Sequence, residues 1–312
     1  MRRLLHALIG GRPLRHRPVA LSLEEQQPAR ALVVAPGGEQ DVTGKLFPVS
    51  LAPLRLGLAR QREEPPVGPT TIRVRDRTAG GLLGVLECEP AGAVEHPGGT
   101  LDLLRPTRSS VHCVSAAERI WRYALAWQHA RRNARRPYAF VMSFADLCAL
   151  NVFYMLPRPV YLVSVVHEDA GNLFPMDLVG PLGDRGFLLA LRLTSPSVEL
   201  MRASGKIAVS AVPASWKEVA YRLGDHHRKR TIAWDELPFA VAPSPVLALP
   251  VPVDALGLRE LELAHAEPVG SHMLFATEVK IASTRDHAPQ LCHVSDMYAQ
   301  WRAAAGQPFV DA

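Results

Sequence analysis

The fold is decided by the stretch Phe187-Leu-Leu-Ala-Leu-Arg-Leu-Thr-Ser-Pro-Ser-Val-Glu199, in which an apolar run passes directly into a serine–proline turn. Such an apolar run is typical of a buried strand. Ser195 is predicted to cap a following helix, with Pro196 at its first position. Glu199 would then lie in the first helical turn, where the helix dipole favours a negative charge. The sequence therefore predicts a strand that ends where a helix begins.

This junction is a candidate phosphate site. The start of a helix presents backbone N–H groups that have no partner within the helix, together with the positive end of the helix dipole. Thr194, Ser195 and Ser197 would add hydroxyl groups, and Arg192 would add a fixed positive charge. The alternative interpretation is an ordinary serine–proline helix start without a ligand.

Further strands are predicted on both sides of this junction. Short apolar runs, separated by glycine and proline, indicate strands at Val160–Val166, Leu173–Leu178, Lys206–Val212, Leu258–Glu267 and Ser271–Ala282. Helices do not alternate regularly with these strands, which argues against a doubly wound parallel sheet. We therefore predict a mainly β fold with flanking helices, of the α+β class.

The chain is predicted to divide into three parts. Residues 1–30, which are strongly basic, are predicted to be a flexible leader. Residues 31–137 are predicted to form a small β-rich and helical region of unknown role, because short strand-like runs alternate there with Pro/Gly turns. Residues 138–312 contain the stretch described above and are predicted to form the main domain.

One helix of the N-terminal region is clearly signalled. Ser115 begins a capping-box pattern, and Ile120, Ala124 and Trp127 follow at helical spacing as an apolar stripe. The arginine-rich run 131–136 is predicted to end this helix, since cations are favourable at the negative end of the helix dipole.

Composition excludes several classes of protein. The 312 residues are 48% hydrophobic and 21% charged, as in ordinary globular proteins. No apolar stretch approaches the roughly 20 residues of a membrane span, so a cytoplasmic protein is expected. The net charge of +5 is modest, and we do not expect nucleic-acid binding. The four cysteines lack CxxC spacing, so reduced thiols and no metal site are expected.

Three other segments are candidates for chemistry. In Phe174–Pro181 a strand ends in turn-forming residues, whose backbone amides could bind the polar edge of a heterocycle; Asp177 could orient a ligand or only cap a turn. His272, at the start of a strand, could donate to a cofactor or have a structural role. The run His226–Arg230 is interpreted as a basic surface loop that could border an anion site.

Taken in order, these segments resemble the flavin reductase-like family. The resemblance rests on Pro159–Val165, Met176–Gly180, Leu189–Ser197 and Ser204–Ser210, followed at a distance by Gly270–His272. It implies an FMN-binding split β-barrel, preceded here by a smaller β-rich region and a helix. It also implies a homodimer.

The resemblance assigns roles to individual residues. Those at the flavin ring would be Met176, Asp177, Leu178 and Val179. Those at the phosphate would be Arg192, Thr194, Ser195 and Ser197. The catalytic residue, near both the flavin and the nicotinamide, would be His272. The ring segment lacks the Ser/Thr pair that is usual in the family, so contacts there are expected to come mainly from the backbone.

The implied function is an NAD(P)H-dependent flavin reductase that passes a hydride to FMN. The reduced flavin would then serve a partner oxygenase or another electron acceptor. An FMN-binding electron carrier or sensor without reductase turnover is the main alternative. A barrel that binds no flavin and serves as a protein scaffold is a third.

Overall fold

The computed structural model describes residues 16–22, 27–35, 38–96, 98–135, 141–183 and 185–312. The strands in these ranges are β1 (His16–Leu21), β2 (Ala29–Ala35), β3 (Gly38–Asp41), β4 (Leu46–Leu51), β5 (Leu54–Arg60), β6 (Thr70–Asp76), β7 (Leu82–His96), β8 (Gly99–Val111), β9 (Arg158–Pro159), β10 (Tyr161–His167), β11 (Ala170–Met176), β12 (Val179–Leu182), β13 (Gly186–Arg192), β14 (Lys206–Ala211), β15 (Val241–Pro243), β16 (Pro250–Pro252), β17 (Gly257–Val269), β18 (His272–Thr284), β19 (Gln290–Ser295) and β20 (Val310–Asp311). The α-helices are α1 (Ala116–Asn133), α2 (Phe144–Phe153), α3 (Ser197–Ser204), α4 (Lys217–Leu223) and α5 (Asp296–Ala304). The predicted mainly β fold with flanking helices is confirmed.

The second half of the chain forms a seven-stranded antiparallel sheet, the C-terminal sheet, in the order β11-β10-β14-β17-β18-β13-β12. Alternate side chains of its strands point into one core, which includes the buried Val163, Phe174, Leu189 and Phe275. The register of β13 and β18 places Arg192 directly opposite His272. Two candidate residues that are distant in sequence are thereby brought next to each other, at the ends of two neighbouring strands.

The first half of the chain forms a second seven-stranded antiparallel sheet, the N-terminal sheet, in the order β3-β2-β6-β7-β8-β5-β4. Helix α2 packs on it, so that Leu150 and Phe153 join Ile72 and Leu104 in a common core. The region predicted only as β-rich is therefore a sheet as large as the one that follows it.

A third, four-stranded sheet in the order β20-β1-β19-β9 connects the two ends of the described chain. Strand β1 falls within the predicted leader, but it pairs with β19 along its whole length and buries Val19. Its backbone groups are satisfied by β19, so these residues are held in place. The rest of the predicted leader lies almost entirely outside the described residues.

Helix α1 begins as predicted, since Ser115 accepts a hydrogen bond from the backbone N–H of Glu118 at 3.2 Å. Its apolar stripe is not buried, however. Ile120 is 69% exposed and Trp127 51% exposed, and Ala126 is the buried residue of this helix. The helix contacts the rest of the chain mainly at its junction with α2, which leaves the indole of Trp127 at the surface.

All four cysteines are buried free thiols. In the part of the chain that the structure describes, no helix combines the length and the apolar character that a membrane crossing requires.

Candidate functional site

A cavity of about 470 Å³ opens where β13 ends and β18 begins. This volume is within the range of small-molecule and cofactor sites, roughly 300–1,000 Å³. The cavity is lined by Leu51, Pro175, Met176, Asp177, Leu178, Ala190, Leu191, Arg192, Thr194, Ser195, Pro196, Gly224, His227, Arg228 and His272. Seven of the nine residues predicted from the sequence are in this lining, although they come from three separate segments.

One end of the cavity is cationic. Arg192 comes from the end of β13 and Arg228 from the 3-10 turn Gly224–Arg228, and both line the cavity. Burial, followed by the positive charge of Arg228, lowers the pKa of Arg192 from its ordinary value. Two like charges beside the start of helix α3 are unfavourable unless an anion lies between them. This end of the cavity therefore suits a phosphate.

The serine–proline turn is arranged differently from the prediction in one respect. Helix α3 begins at Ser197, and no side chain caps its first turn. The hydroxyl of Ser195 instead donates to the carbonyl of His227 at 2.9 Å, because the 3-10 turn packs against it. Ser195 and Thr194 still line the cavity, so both hydroxyl groups are placed at its cationic end.

Ser197 is not part of the lining. It is completely buried, and its hydroxyl accepts a hydrogen bond from the side chain of Asn172 at 2.9 Å. The same amide group of Asn172 also donates to the carbonyls of His226 and Lys229. Ser197 therefore helps to hold the basic loop in place.

The basic run His226–Arg230 is fixed over strand β11 by its two histidines. His226 donates from Nδ1 to the carbonyl of Leu173, and His227 donates from Nε2 to the carbonyl of Pro175, both at 2.7 Å. These two bonds place Arg228 at the cavity. The sequence indicated a basic loop but not this pair of anchoring bonds.

The predicted ring segment forms another part of the cavity lining. Met176, Asp177 and Leu178 line it, whereas Val179 is buried in the core on the opposite side of the strand. Adjacent side chains of an extended chain point to opposite sides, which explains why Leu178 lines the cavity and Val179 does not. This part of the lining combines the apolar side chains of Met176 and Leu178 with Asp177.

Asp177 does more than cap a turn. Its carboxylate accepts hydrogen bonds from His293 at 2.8 Å and from the hydroxyl of Tyr154 at 3.2 Å. Burial acts to raise the pKa of this carboxyl, but the bond and charge of His293, with His16 and Arg158, outweigh it and lower the pKa to about 2. Asp177 is therefore a stable anion beside the cavity. Tyr154 and His293 had no recognisable signal in the sequence, because each comes from a segment far from the ring segment.

His272 lines the cavity as the first residue of β18 and is only 2% exposed. Its Nδ1 shares a hydrogen bond with the hydroxyl of Ser271 at 2.9 Å. Burial, and then the positive charge of Arg192, lower the pKa of His272 to about 4. The imidazole is therefore neutral at neutral pH, and it can donate a hydrogen bond without bringing charge into the site.

The sequence profile of the flavin reductase like domain matches residues 153–302, the segment that contains every residue of the cavity except Leu51. Residues 153–302 belong to the flavin reductase-like family. This match confirms the resemblance found in the sequence, and with it the expectation that the protein is an oxidoreductase.

Several solved structures are similar to part of the chain. The Streptomyces globisporus C-1027 NADH:FAD oxidoreductase SgcE6 is 17% identical, over 48% of this chain and 88% of its own, with a TM-score of 0.42. The flavin reductase PheA2 is 19% identical, over 46% of this chain and 90% of its own, with a TM-score of 0.39. The FMN-binding protein from Thermus thermophilus is 23% identical, over 41% of this chain and 73% of its own, with a TM-score of 0.37. The comparison with curated proteins returned no match.

Proposed function

We propose that this protein binds FMN in the cavity described above and reduces it with NADH or NADPH. The observation that carries this proposal is the mixed polarity of the cavity lining, which includes the charged side chains of Arg192 and Arg228 and the apolar side chains of Met176 and Leu178. A phosphate monoester joined to a flat ring system has the same polarity. The family match supports the assignment to flavin chemistry.

The residues present fit FMN group by group. Arg192, Arg228 and the hydroxyl of Thr194 would hold the phosphate, since charge-assisted hydrogen bonds are the strongest of these contacts. Ser195 would join them only by turning its O–H from the carbonyl of His227 to the phosphate, because a hydroxyl has one proton to donate. Residues 176–178 would contact the ring system. When bound, FMN would supply the group that accepts a hydride from a nicotinamide, and the protein would supply position and electrostatics.

Two titratable side chains of the cavity, His272 and Asp177, would each keep one charge state at neutral pH. His272 stays neutral and can donate a hydrogen bond into the cavity, whereas Asp177 stays ionised because His293 and Tyr154 bind its carboxylate. The cavity lining therefore includes both a neutral hydrogen-bond donor and an anion at neutral pH. Neither group needs to change its charge in order to orient a nicotinamide against a flavin.

The absorption spectrum of the purified protein tests this proposal first. We expect flavin bands, either as purified or after addition of FMN, and oxidation of NADH or NADPH when FMN is present. Flavin bands without oxidation of either nucleotide would favour the alternative, an electron carrier or sensor. A colourless protein that FMN does not bind would overturn the proposal.

The acceptor of the reduced flavin is proposed to be a partner oxygenase. One of the similar structures is described as the flavin reductase component of a bacterial two-component tryptophan halogenase, which supports a role of this kind. The family resemblance implies a homodimer, and sedimentation of the purified protein would distinguish a homodimer from a monomer.

A further inference from the structure

The two seven-stranded sheets have the same strand order. With the strands of each sheet numbered from first to seventh along the chain, both sheets read second, first, fifth, sixth, seventh, fourth, third. Every neighbouring pair in both sheets is antiparallel. The longest hairpin also lies at the same place, between the sixth and seventh strands: β7–β8 in one sheet and β17–β18 in the other. Residues 29–111 therefore repeat the topology of residues 161–284.

The two units also pack on each other in a reciprocal way. The end of the third strand of each unit meets the hairpin turn of the other. Ser50, in β4, accepts a hydrogen bond from the backbone N–H of Ser271 at 3.1 Å. Conversely, the carbonyl of Leu182, in β12, lies 3.8 Å from where a Cβ on Gly98 would be. Between these two contacts, a Cβ on Gly180 would collide with the ring of Phe47, so the two third strands cross closely.

A core shared by both units fills this junction. It contains Phe47, Val49 and Leu101 from the first unit and Leu188 and Leu274 from the second, all of them buried. The packed pair therefore has the form of a two-fold dimer made from one chain.

Within the described residues, the features that form the cavity of the second unit have no counterpart in the first. Between the fourth and fifth strands of the second unit lies helix α3 with the serine–proline turn, whereas residues 61–69 of the first unit contain no helix. His272, which pairs with Val269 across the hairpin turn, corresponds to Gly99, which pairs with His96. Arg60, at the end of the fourth strand, is bound to Asp102 at 2.7 Å. The first unit lacks the helix and the histidine, and Arg60 stands one residue before the position of Arg192, since it pairs with Thr100 rather than with Gly99.

The first unit instead contributes to the cavity of the second. Leu51 is part of the cavity wall. Next to it, the hydroxyl of Ser271 accepts from the backbone N–H of Ala52 at 3.1 Å and also bonds Nδ1 of His272. With the bond from Ser271 to Ser50, the turn that carries His272 is fixed by residues 50–52 of the first unit.

We propose that residues 29–111 are a repeated copy of the fold that has lost its own ligand site and takes the place of a second subunit, completing the cavity of residues 161–284 within a single chain. The identity of the ligand as FMN rests on the proposed function, but the repeat and its contact with the His272 turn do not. Leu51 is thus a wall residue of the cavity, and Ser50 is a positioning residue that acts on His272 through Ser271.

The first experiment measures the titration of His272 by NMR in the protein without flavin. Ser50→Ala should raise the pKa of His272 from about 4 towards its ordinary value of 6.5, because a loosened turn admits water. Ser110→Ala, in the same unit but paired with His112, is the matched control and should leave this titration unchanged. An unchanged His272 in the folded Ser50→Ala protein would overturn the positioning role, whether or not the protein binds flavin.

The second experiment measures the mass in solution and the binding of FMN. A monomer of 34.1 kDa that binds one FMN is expected. Leu51→Trp should weaken FMN binding by about tenfold or more, since overpacking a filled site has a cost of that order. Leu82→Trp changes a half-buried leucine outside the cavity and should leave FMN binding unchanged. A dimer whose FMN affinity is unchanged by Leu51→Trp would overturn the proposal. A monomer that does not bind FMN would overturn only the proposed function.

Discussion

The N-terminal and C-terminal seven-stranded units have one topology but different capacities for chemistry. Each has a core of buried hydrophobic residues, and their strands are paired in the same order. They differ in the connection from the fourth to the fifth strand. In the first unit this connection is a proline-containing loop at residues 61–69, and in the second unit it contains the helix α3. They differ again at the hairpin turn, where one has Gly99 and the other has His272. The sheet therefore provides the scaffold, while two short connections provide the site.

The two arginines at the ends of the fourth strands give the sharpest test of this difference. Arg192→Ala should weaken FMN binding about 100-fold and leave riboflavin binding nearly unchanged, because one or two charge-assisted hydrogen bonds to the phosphate are lost. Isothermal titration with both ligands measures this.

Two control variants complete this test. Arg202→Ala, on the exposed face of α3 where it pairs with Glu199, should have little effect on either ligand. Arg60→Ala should lower stability but not FMN affinity, since Arg60 is paired with Asp102. Equal affinity of the parent protein for FMN and riboflavin would contradict the phosphate assignment.

The pH dependence of stability should arise at Asp177. Its pKa is lowered from 3.8 to about 2 in the folded protein, so its contribution is fully present above pH 4 and is lost as the pH falls towards 2. This contribution is about 2 kcal/mol. Asp177→Asn should therefore reduce the free energy of unfolding at pH 6 and flatten its dependence on pH between 4 and 2. Urea unfolding at several pH values measures this, and Asp225→Asn, at an exposed carboxyl, is the control. Parallel curves for Asp177→Asn and the parent would refute it.

His272 should affect rate more than binding. His272→Ala is expected to slow reduction of bound FMN by NADH about tenfold while changing FMN affinity little, because the phosphate contacts remain. Because the pKa of His272 is about 4, this residue stays neutral between pH 6 and 8 and should cause no change of the reduction rate with pH in that range. Stopped-flow absorbance gives the rate, with His265→Ala, on a more exposed part of β17, as the control. An unchanged rate would remove His272 from the catalytic residues.

The smallest effect is expected at Ser195. Ser195→Ala removes the bond to the carbonyl of His227 and should lower stability by about 1 kcal/mol. Its effect on FMN affinity should be smaller than that of Arg192→Ala, because a neutral hydroxyl binds phosphate less strongly than a guanidinium does. Ser283→Ala, at an exposed serine of β18, is the control for both measurements. A larger loss of FMN affinity than with Arg192→Ala would show that the hydroxyl, not the charge, holds the phosphate.

The sequence was sufficient for the strand-to-helix junction and for most of the cavity, because both depend on local chemistry. A serine–proline turn after an apolar strand is recognisable in a few residues, and the family pattern then relates it to His272. It could not show that Ser197 points into the protein, since the direction of a side chain in a turn is set by tertiary contacts such as the amide of Asn172.

The repeat could not be predicted for a different reason. Alternation of apolar and polar residues is shared by all half-buried strands, so two units can have one topology without a detectable pattern in common. The contributions of Leu51, Tyr154 and His293 to the site depend on long-range packing, which no local motif reports. The first unit therefore looked like a β-rich region without a role.

The buried cysteines have a practical consequence. Burial raises the pKa of each thiol, Cys88, Cys113, Cys148 and Cys292, to about 12, so almost no reactive thiolate exists at neutral pH. Peroxide, which forms when oxygen oxidises reduced flavin, would therefore react only slowly with these thiols in the folded protein. Maleimide or another thiol reagent should react only when a segment opens. The order in which the four sites are labelled would then show which of these segments opens first.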